Sequence, residues 1–156
     1  MFDPTKIIND INLLSPYFKT RIEKALKELW DNGHDLFIFE SYRSPQRSNY
    51  LYEQGRTSPG KIVTKAQAWQ SMHNYALAVD LWPKVNNRWV FQYDYKPVAV
   101  IMKKHGFKCG IDWGDSPHFQ LDGGLQWQEC KAITNMHGLP LLWKLVQEKD
   151  NEKKIS

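Results

Sequence analysis

The chain has 156 residues, 42% apolar and 24% charged, with 21 Lys and Arg against 17 Asp and Glu for a net charge of +4. That length suits one domain able to bury its own core, and with only 2 cysteines the balance excludes a disordered chain, a collagen repeat and a disulfide scaffold. Aromatic residues are the one excess, at 7 each of Trp, Tyr and Phe, and such rings serve both a small core and a groove that grips polar ligands.

Asp3-Pro4 predicts a helix start, with Ile7, Ile8, Ile11 and Leu14 at helical spacing. Ser15-Pro16 opens a second helix whose Phe18, Ile22, Ala25, Leu26 and Leu29 share one face, and Asn32-Gly33 ends it. Leu36 to Phe39 reads as a buried strand. Ser44-Pro45 caps a further helix running to about Gln54-Gly55, and residues 56–70 read as a loop of the kind that borders active sites. Ala76 to Trp82 reads as a strand, with Asn86-Asn87 as a turn and Arg88 to Phe91 as its hairpin partner. Tyr95 to His105 is an amphipathic helix stopped by Gly106. Phe107 to Trp113 and His118 to Leu121 are strand candidates around a Gly114-Asp115-Ser116-Pro117 turn. Leu125 to His137 and Leu139 to Glu148 are helices, followed by a polar frayed tail. Helices first, strands in the middle and helices last predict an α+β fold, a small antiparallel sheet with flanking helices. Residues 1–150 are expected to form a single domain and residues 151–156 a polar C-terminal tail.

Cys109 and Cys130 lack CxxC spacing and read as buried thiols of a reducing compartment. The N-terminus has no basic segment followed by a long apolar one, and no run approaches ~18 apolar residues. No signal peptide and no membrane insertion are therefore expected, and the protein is read as made in the cytoplasm. By quarters, residues 1–40 carry 5 basic and 7 acidic side chains, 41–80 carry 5 and 2, 81–120 carry 6 and 3, and 121–156 carry 5 and 5. The basic middle suits either an anionic partner or a solvated face, but its charges are scattered and argue against nucleic acid.

Two histidines keep unusual company. His73 precedes Asp80 by seven residues, and Asp80 lies in the apolar run Ala78-Val79-Asp80-Leu81-Trp82, where a carboxylate must be paired or bound to metal. Asp115 precedes His118 by three, with Pro117 forbidding a regular helix between them. Two histidines and an aspartate with an open fourth position are the usual set of a catalytic zinc. A further carboxylate then accepts the proton of an activated water and passes it to the leaving amine, a role for which Asp115 is the candidate and Asp112 its competitor. On spacing alone, His73 and His118 are equally well read as histidines hydrogen-bonded within the fold.

At these residues the sequence resembles the zinc peptidases of the D-alanyl-D-alanine carboxypeptidase group, which share a fold with the hedgehog signalling domain. Ser71, His73, Ala78 and Asp80 match the group's Ser-x-His-x-x-Gly-x-Ala-x-Asp pattern, and Asp115-x-x-His118 matches its second element. Glu40-Ser41-Tyr42-Arg43-Ser44-Pro45 and Leu51 to Arg56 fit upstream segments. Trp113 to Gln120 most resembles bacteriophage L-alanyl-D-glutamate endopeptidases. The motif's glycine is replaced by Ala76, which departs from the pattern where a left-handed backbone or close approach is wanted.

The resemblance implies one Zn²⁺ held by His73, Asp80 and His118, with Asp115 as base and then acid. It implies that Arg43 orients the substrate, while Ser71 and Tyr42 shape the pocket or serve as local cap and packing residue. Gln120 would support a ligand, and Trp69 and Trp113 would flank the groove. The implied activity is hydrolysis of the L-Ala–D-Glu bond of the peptidoglycan stem peptide in cell-wall lysis by a monomer that reaches the wall through a holin. D-Ala-D-Ala carboxypeptidase activity and a non-catalytic wall-binding module are the alternatives. His34, His105 and His137 sit at helix ends and need no site role.

Overall fold

In the computed structural model, which describes residues 2–155, α1 (Pro16–Asp31) lies where the sequence places it. Ser15 accepts a hydrogen bond from the Phe18 amide at 3.1 Å, Pro16 fills the first turn, and Phe18, Ile22, Ala25, Leu26 and Leu29 form the buried stripe. The expected helix before it is a single 3-10 turn, Ile11–Leu13. Asp3 and Asp10 accept hydrogen bonds from the amides two residues on, an alternative to helix that short polar side chains offer the backbone. The Ile8 carbonyl is instead taken by the Ser41 amide.

The sheet contains β1 (Leu36–Glu40), β2 (Ala78–Val85), β3 (Arg88–Trp89), β4 (Lys108–Cys109) and β5 (His118–Gln120). Its order is β1-β2-β5-β4, with β3 paired to the far end of β2, and every strand pairing is antiparallel. The β2–β3 hairpin turns through Asn86 and Asn87, both at positive φ as a tight hairpin requires. The segment after Cys109, expected to continue as a strand, coils into a 3-10 turn at Gly110–Trp113. α2 (Pro45–Glu53) and α3 (Lys96–Lys104) match their expected positions, and 56–70 is a loop.

α4 (Trp127–His137) and α5 (Leu139–Ile155) close the chain. The stretch expected to fray is corrected by α5, which stays helical through Ile155 because Glu and Lys favour helix and Lys153 and Lys154 complement the dipole of its last turn. Tyr17 also donates a hydrogen bond to Asp150 at 3.1 Å, tying this helix to α1. Ser156 lies outside the described residues.

Two apolar clusters result. The larger, under the sheet, joins α1, α3 and the inward residues Leu36, Val79, Leu81, Cys109 and Phe119. The smaller joins Met72, Tyr75, Leu77 and Ala78 to Leu125, Cys130, Leu142 and Val146. Tyr17 packs against both. Each cysteine is fully buried in a different cluster, and burial pushes the Cys109 thiol up to about 11 and the Cys130 thiol up to about 12. Among the described residues, no helix is long and apolar enough to cross a membrane.

Candidate metal centre

Asp80 sits in the middle of the sheet, directly opposite Glu40 on β1 and His118 on β5. Directly paired residues of an antiparallel ladder project to the same face about 5 Å apart, so the register alone brings the His118 ring to the Asp80 carboxylate. His118 Nδ1 lies 3.3 Å from Asp80 Oδ1. His73 comes from elsewhere. It rides on a 3-10 turn, Met72–Tyr75, capped by Ser71, whose hydroxyl accepts from the His73 amide at 3.2 Å. Its Nε2 reaches the same Asp80 oxygen at 3.3 Å.

The turn ends at Ala76 in the left-handed conformation, φ 59° and ψ 34°, which reverses the chain into β2. This backbone geometry is why the motif prefers glycine, and alanine occupies it at a cost of about 1–2 kcal/mol. Trp69 enters the turn at φ 70°, held by Asn74, whose side-chain oxygen accepts from the Trp69 amide at 2.9 Å.

Each ring has its outer nitrogen fixed. His73 Nδ1 donates to the Ser41 carbonyl at 2.8 Å, which turns Nε2 toward Asp80. For His118 the logic runs through a relay. Lys108 holds the Asp122 carboxylate at 3.0 Å, and that carboxylate accepts from the Gln120 amide nitrogen at 2.7 Å. Gln120 Oε1 therefore faces His118 Nε2 at 2.8 Å and takes its hydrogen, which frees Nδ1 toward Asp80. Burial alone would raise the Asp80 pKa, but His73 and His118 together hold it well below the usual carboxylate range. Burial also opposes charge on His118, and Asp80 outweighs it and raises that pKa.

The three donors fit a tetrahedral divalent cation. One donor atom from each residue lies within 4.8 Å of the other two. The two 3.3 Å separations to Asp80 equal the edge, about 3.3–3.4 Å, of a tetrahedron with ~2.0–2.1 Å zinc bonds. Two imidazoles and a carboxylate, with ring tautomers set by outer partners, are the donor chemistry such a site uses.

Asp115 stands at the rim, its Oδ2 3.9 Å from His118 Nδ1 and its side chain 55% exposed. Partial burial in the cleft and then the Asp80 charge raise its pKa, which suits a group that takes up and releases a proton. Gly110 makes this placement feasible: a Cβ there would lie 1.9 Å from the Asp115 carbonyl. Asp112 turns to the surface and pairs with Lys103 at 2.9 Å, so geometry separates the two competitors.

The cleft around these groups has a volume of about 590 Å³. Arg43 and Ser71 line it. Arg43 is mostly buried, with Nη2 2.6 Å from Glu40 and 3.8 Å from Asp80 and its buried Nε without a hydrogen-bond partner. Of the two roles open to Tyr42, its geometry fits packing: it lies on Phe2, ring centroids 5.3 Å apart, and is absent from the cleft lining. Trp69 likewise packs into the smaller apolar cluster, 5.8 Å from Tyr75, while Trp113 and Trp127 line the cleft. His34 pairs with Tyr93 and His105 with Glu28, both away from the cleft.

Three groups escaped the sequence reading. Glu40 is buried and bridges Arg43 and Arg47, the latter at 2.5 Å; burial opposes its charge, but Arg43 leads the groups that hold its pKa below normal. Asn74, also buried, joins the Trp69 amide, the Ser48 hydroxyl and the Arg43 carbonyl. Asp122 anchors the His118 relay. A buried acid at the end of an apolar strand followed by two arginines was the only signal in the sequence for any of them.

The sequence profile of a family described as D-alanyl-D-alanine carboxypeptidase matches residues 64–121, which carry all three donors and Asp115. The peptidoglycan L-alanyl-D-glutamate endopeptidase CwlK of Bacillus subtilis (strain 168) is 34% identical over 122 residues, covering 69% of this chain and 73% of that protein.

Proposed function

The chain belongs to the D-alanyl-D-alanine carboxypeptidase family of peptidases, and on that premise we propose that it is a single-domain zinc peptidase hydrolysing the L-Ala–D-Glu bond of the peptidoglycan stem peptide. The observation that carries this reading is Asp80 held between two histidines whose tautomers are both fixed for coordination. When bound, zinc supplies Lewis acidity, activating water and polarising the scissile carbonyl. His73, Asp80 and His118 hold it. Asp115 takes the proton of the attacking water and delivers it to the departing D-Glu nitrogen. Arg43, locked by Glu40, fixes the orientation of Asp80 and presents positive charge to an anionic stem peptide.

Cleavage inside a chain needs room on both sides of the reacting bond. The cleft is long enough to be lined by Leu51 of α2 and Val63 of the 56–70 loop as well as by Lys108 of β4 and Gln120 of β5. This favours the endopeptidase over the carboxypeptidase for which the family is described. The biological role proposed is wall lysis of the phage type, by a monomer that a holin admits to the wall.

Mass spectrometry of digested peptidoglycan tests the reading. Free L-Ala termini on muramic acid and new D-Glu N-termini are expected; released D-Ala would assign the carboxypeptidase instead. Asp115→Ala is expected to keep one zinc per chain and lose about 10²–10⁴-fold in kcat, whereas His73→Ala is expected to lose the metal. Purified protein without stoichiometric zinc, or full activity in Asp115→Ala, overturns the proposal.

A further inference from the structure

The face of the sheet that bears Asp80 does not end at the metal centre. Along β2, Asp80, Trp82 and Lys84 alternate with the buried Leu81 and Pro83, so all three project to one side. Phe37 lies opposite Trp82, and Trp89 lies opposite Lys84. The rings interlock edge to face: Phe39 is 5.0 Å from Trp89 and 5.5 Å from Phe91, and Phe91 is 5.2 Å from Trp82. Lys84 Nζ lies 4.3 Å from the centre of the Trp89 ring. Phe91 is 62% exposed and Phe37 38%. Phe39 also lines the catalytic cleft, so the aromatic surface and the cleft are continuous. Phe39, Trp82 and Trp89 are half-buried, Trp82 resting on the larger core cluster, and they support the exposed Phe37 and Phe91; an exposed aromatic patch built on such a base marks a binding surface.

We propose that this aromatic surface is a subsite for the glycan strand of the wall, stacking the pyranose rings that carry the scissile stem peptide. The inference rests on the L-Ala–D-Glu reading of the site. In that substrate L-Ala is joined through a lactyl group to the muramic acid ring, so the sugar stands one residue from the bond cut. Strand rise places Trp82 about 7 Å from Asp80, within reach of such a sugar. For a bond at the D-Ala end of an extended stem, the sugar would lie about 10 Å further away. Pyranose rings offer apolar C–H faces with polar rims, which suit aromatic faces bordered by a cationic donor. Lys84 stands where it can donate to the N-acetyl carbonyls.

The test compares two substrates, a disaccharide-linked stem peptide and the same peptide without sugar, in the full chain and in Phe37→Ala/Phe91→Ala. Both replaced rings are exposed, and unchanged circular dichroism checks the fold. The variant is expected to lose about tenfold in kcat/KM on the sugar-linked substrate and less than twofold on the free peptide. Equal losses on both, or none, overturn the subsite. If the native chain cuts neither substrate, the endopeptidase reading fails by itself. Stem-free glycan strands then decide the subsite: quenching of tryptophan fluorescence in the native chain but not in the variant supports it, and no quenching overturns it. A dimer in sedimentation equilibrium that the variant dissolves would assign the face to self-association and also overturn the proposal.

Discussion

His118 and His73 address the same Asp80 oxygen at the same 3.3 Å, yet the two regions that deliver them are built differently. His118 stands on a strand in register with β2, over the larger apolar cluster, and the hydrogen bonds of the sheet place it. His73 hangs from a short turn over the smaller cluster, entered at Trp69 and left at Ala76 with positive φ at both ends. Asn74 and the Ser41 carbonyl hold that turn by hydrogen bonds across the chain. One ligand is therefore set by secondary structure and the other by tertiary bracing. Register is discrete and hard to shift by small amounts, whereas a braced turn tolerates small displacements, so loosening the second region is expected to reach the metal before loosening the first does.

The strongest test pairs equivalent truncations in the two clusters. Leu29→Ala and Leu142→Ala, both at fully buried positions, are each expected to cost about 2–5 kcal/mol by denaturant unfolding. Only Leu142→Ala is expected to weaken zinc binding in the folded protein as well. Equal effects on metal affinity, measured by competition with a chelator, would break the comparison. On the register side, Gln120→Leu removes the partner of His118 Nε2 and leaves the strand pairing intact. It is expected to lower zinc affinity about 10–100-fold with little change in melting temperature. The smallest effect belongs to Ala76→Gly, which removes left-handed strain but adds backbone entropy to the unfolded chain. A net gain of up to about 1 kcal/mol is expected, visible as a rise of about 2–4 °C in melting temperature. A fall would show that the methyl group's packing outweighs the strain.

The difference between the regions also governs how much of them was legible beforehand. The helical stripe of α1 and the misfit of Asp80 in an apolar strand are local patterns, and both are present as read. Asp115 three residues before His118 around a proline was likewise readable, and Asp112 was separated from it only by the Lys103 pair. The bracing was not readable. Asn74 joins distant chain regions only through folding: its partners include Arg43, 31 positions away, and Ser48, 26 away. No periodicity marks such contacts. The choice between a pocket and a packing role for Tyr42 was open for a related reason, since which way a residue leaves a strand end depends on what packs beside it, here Phe2.

The two thiols give the fold one more property. Cys109 and Cys130 are sealed in separate clusters and held protonated by burial, so neither forms a bridge with the other nor presents a thiolate to an oxidant. The architecture is therefore indifferent to redox potential. With both thiols free and apart, the covalent structure is the same in reducing and oxidising surroundings, with no bond to form and none to lose.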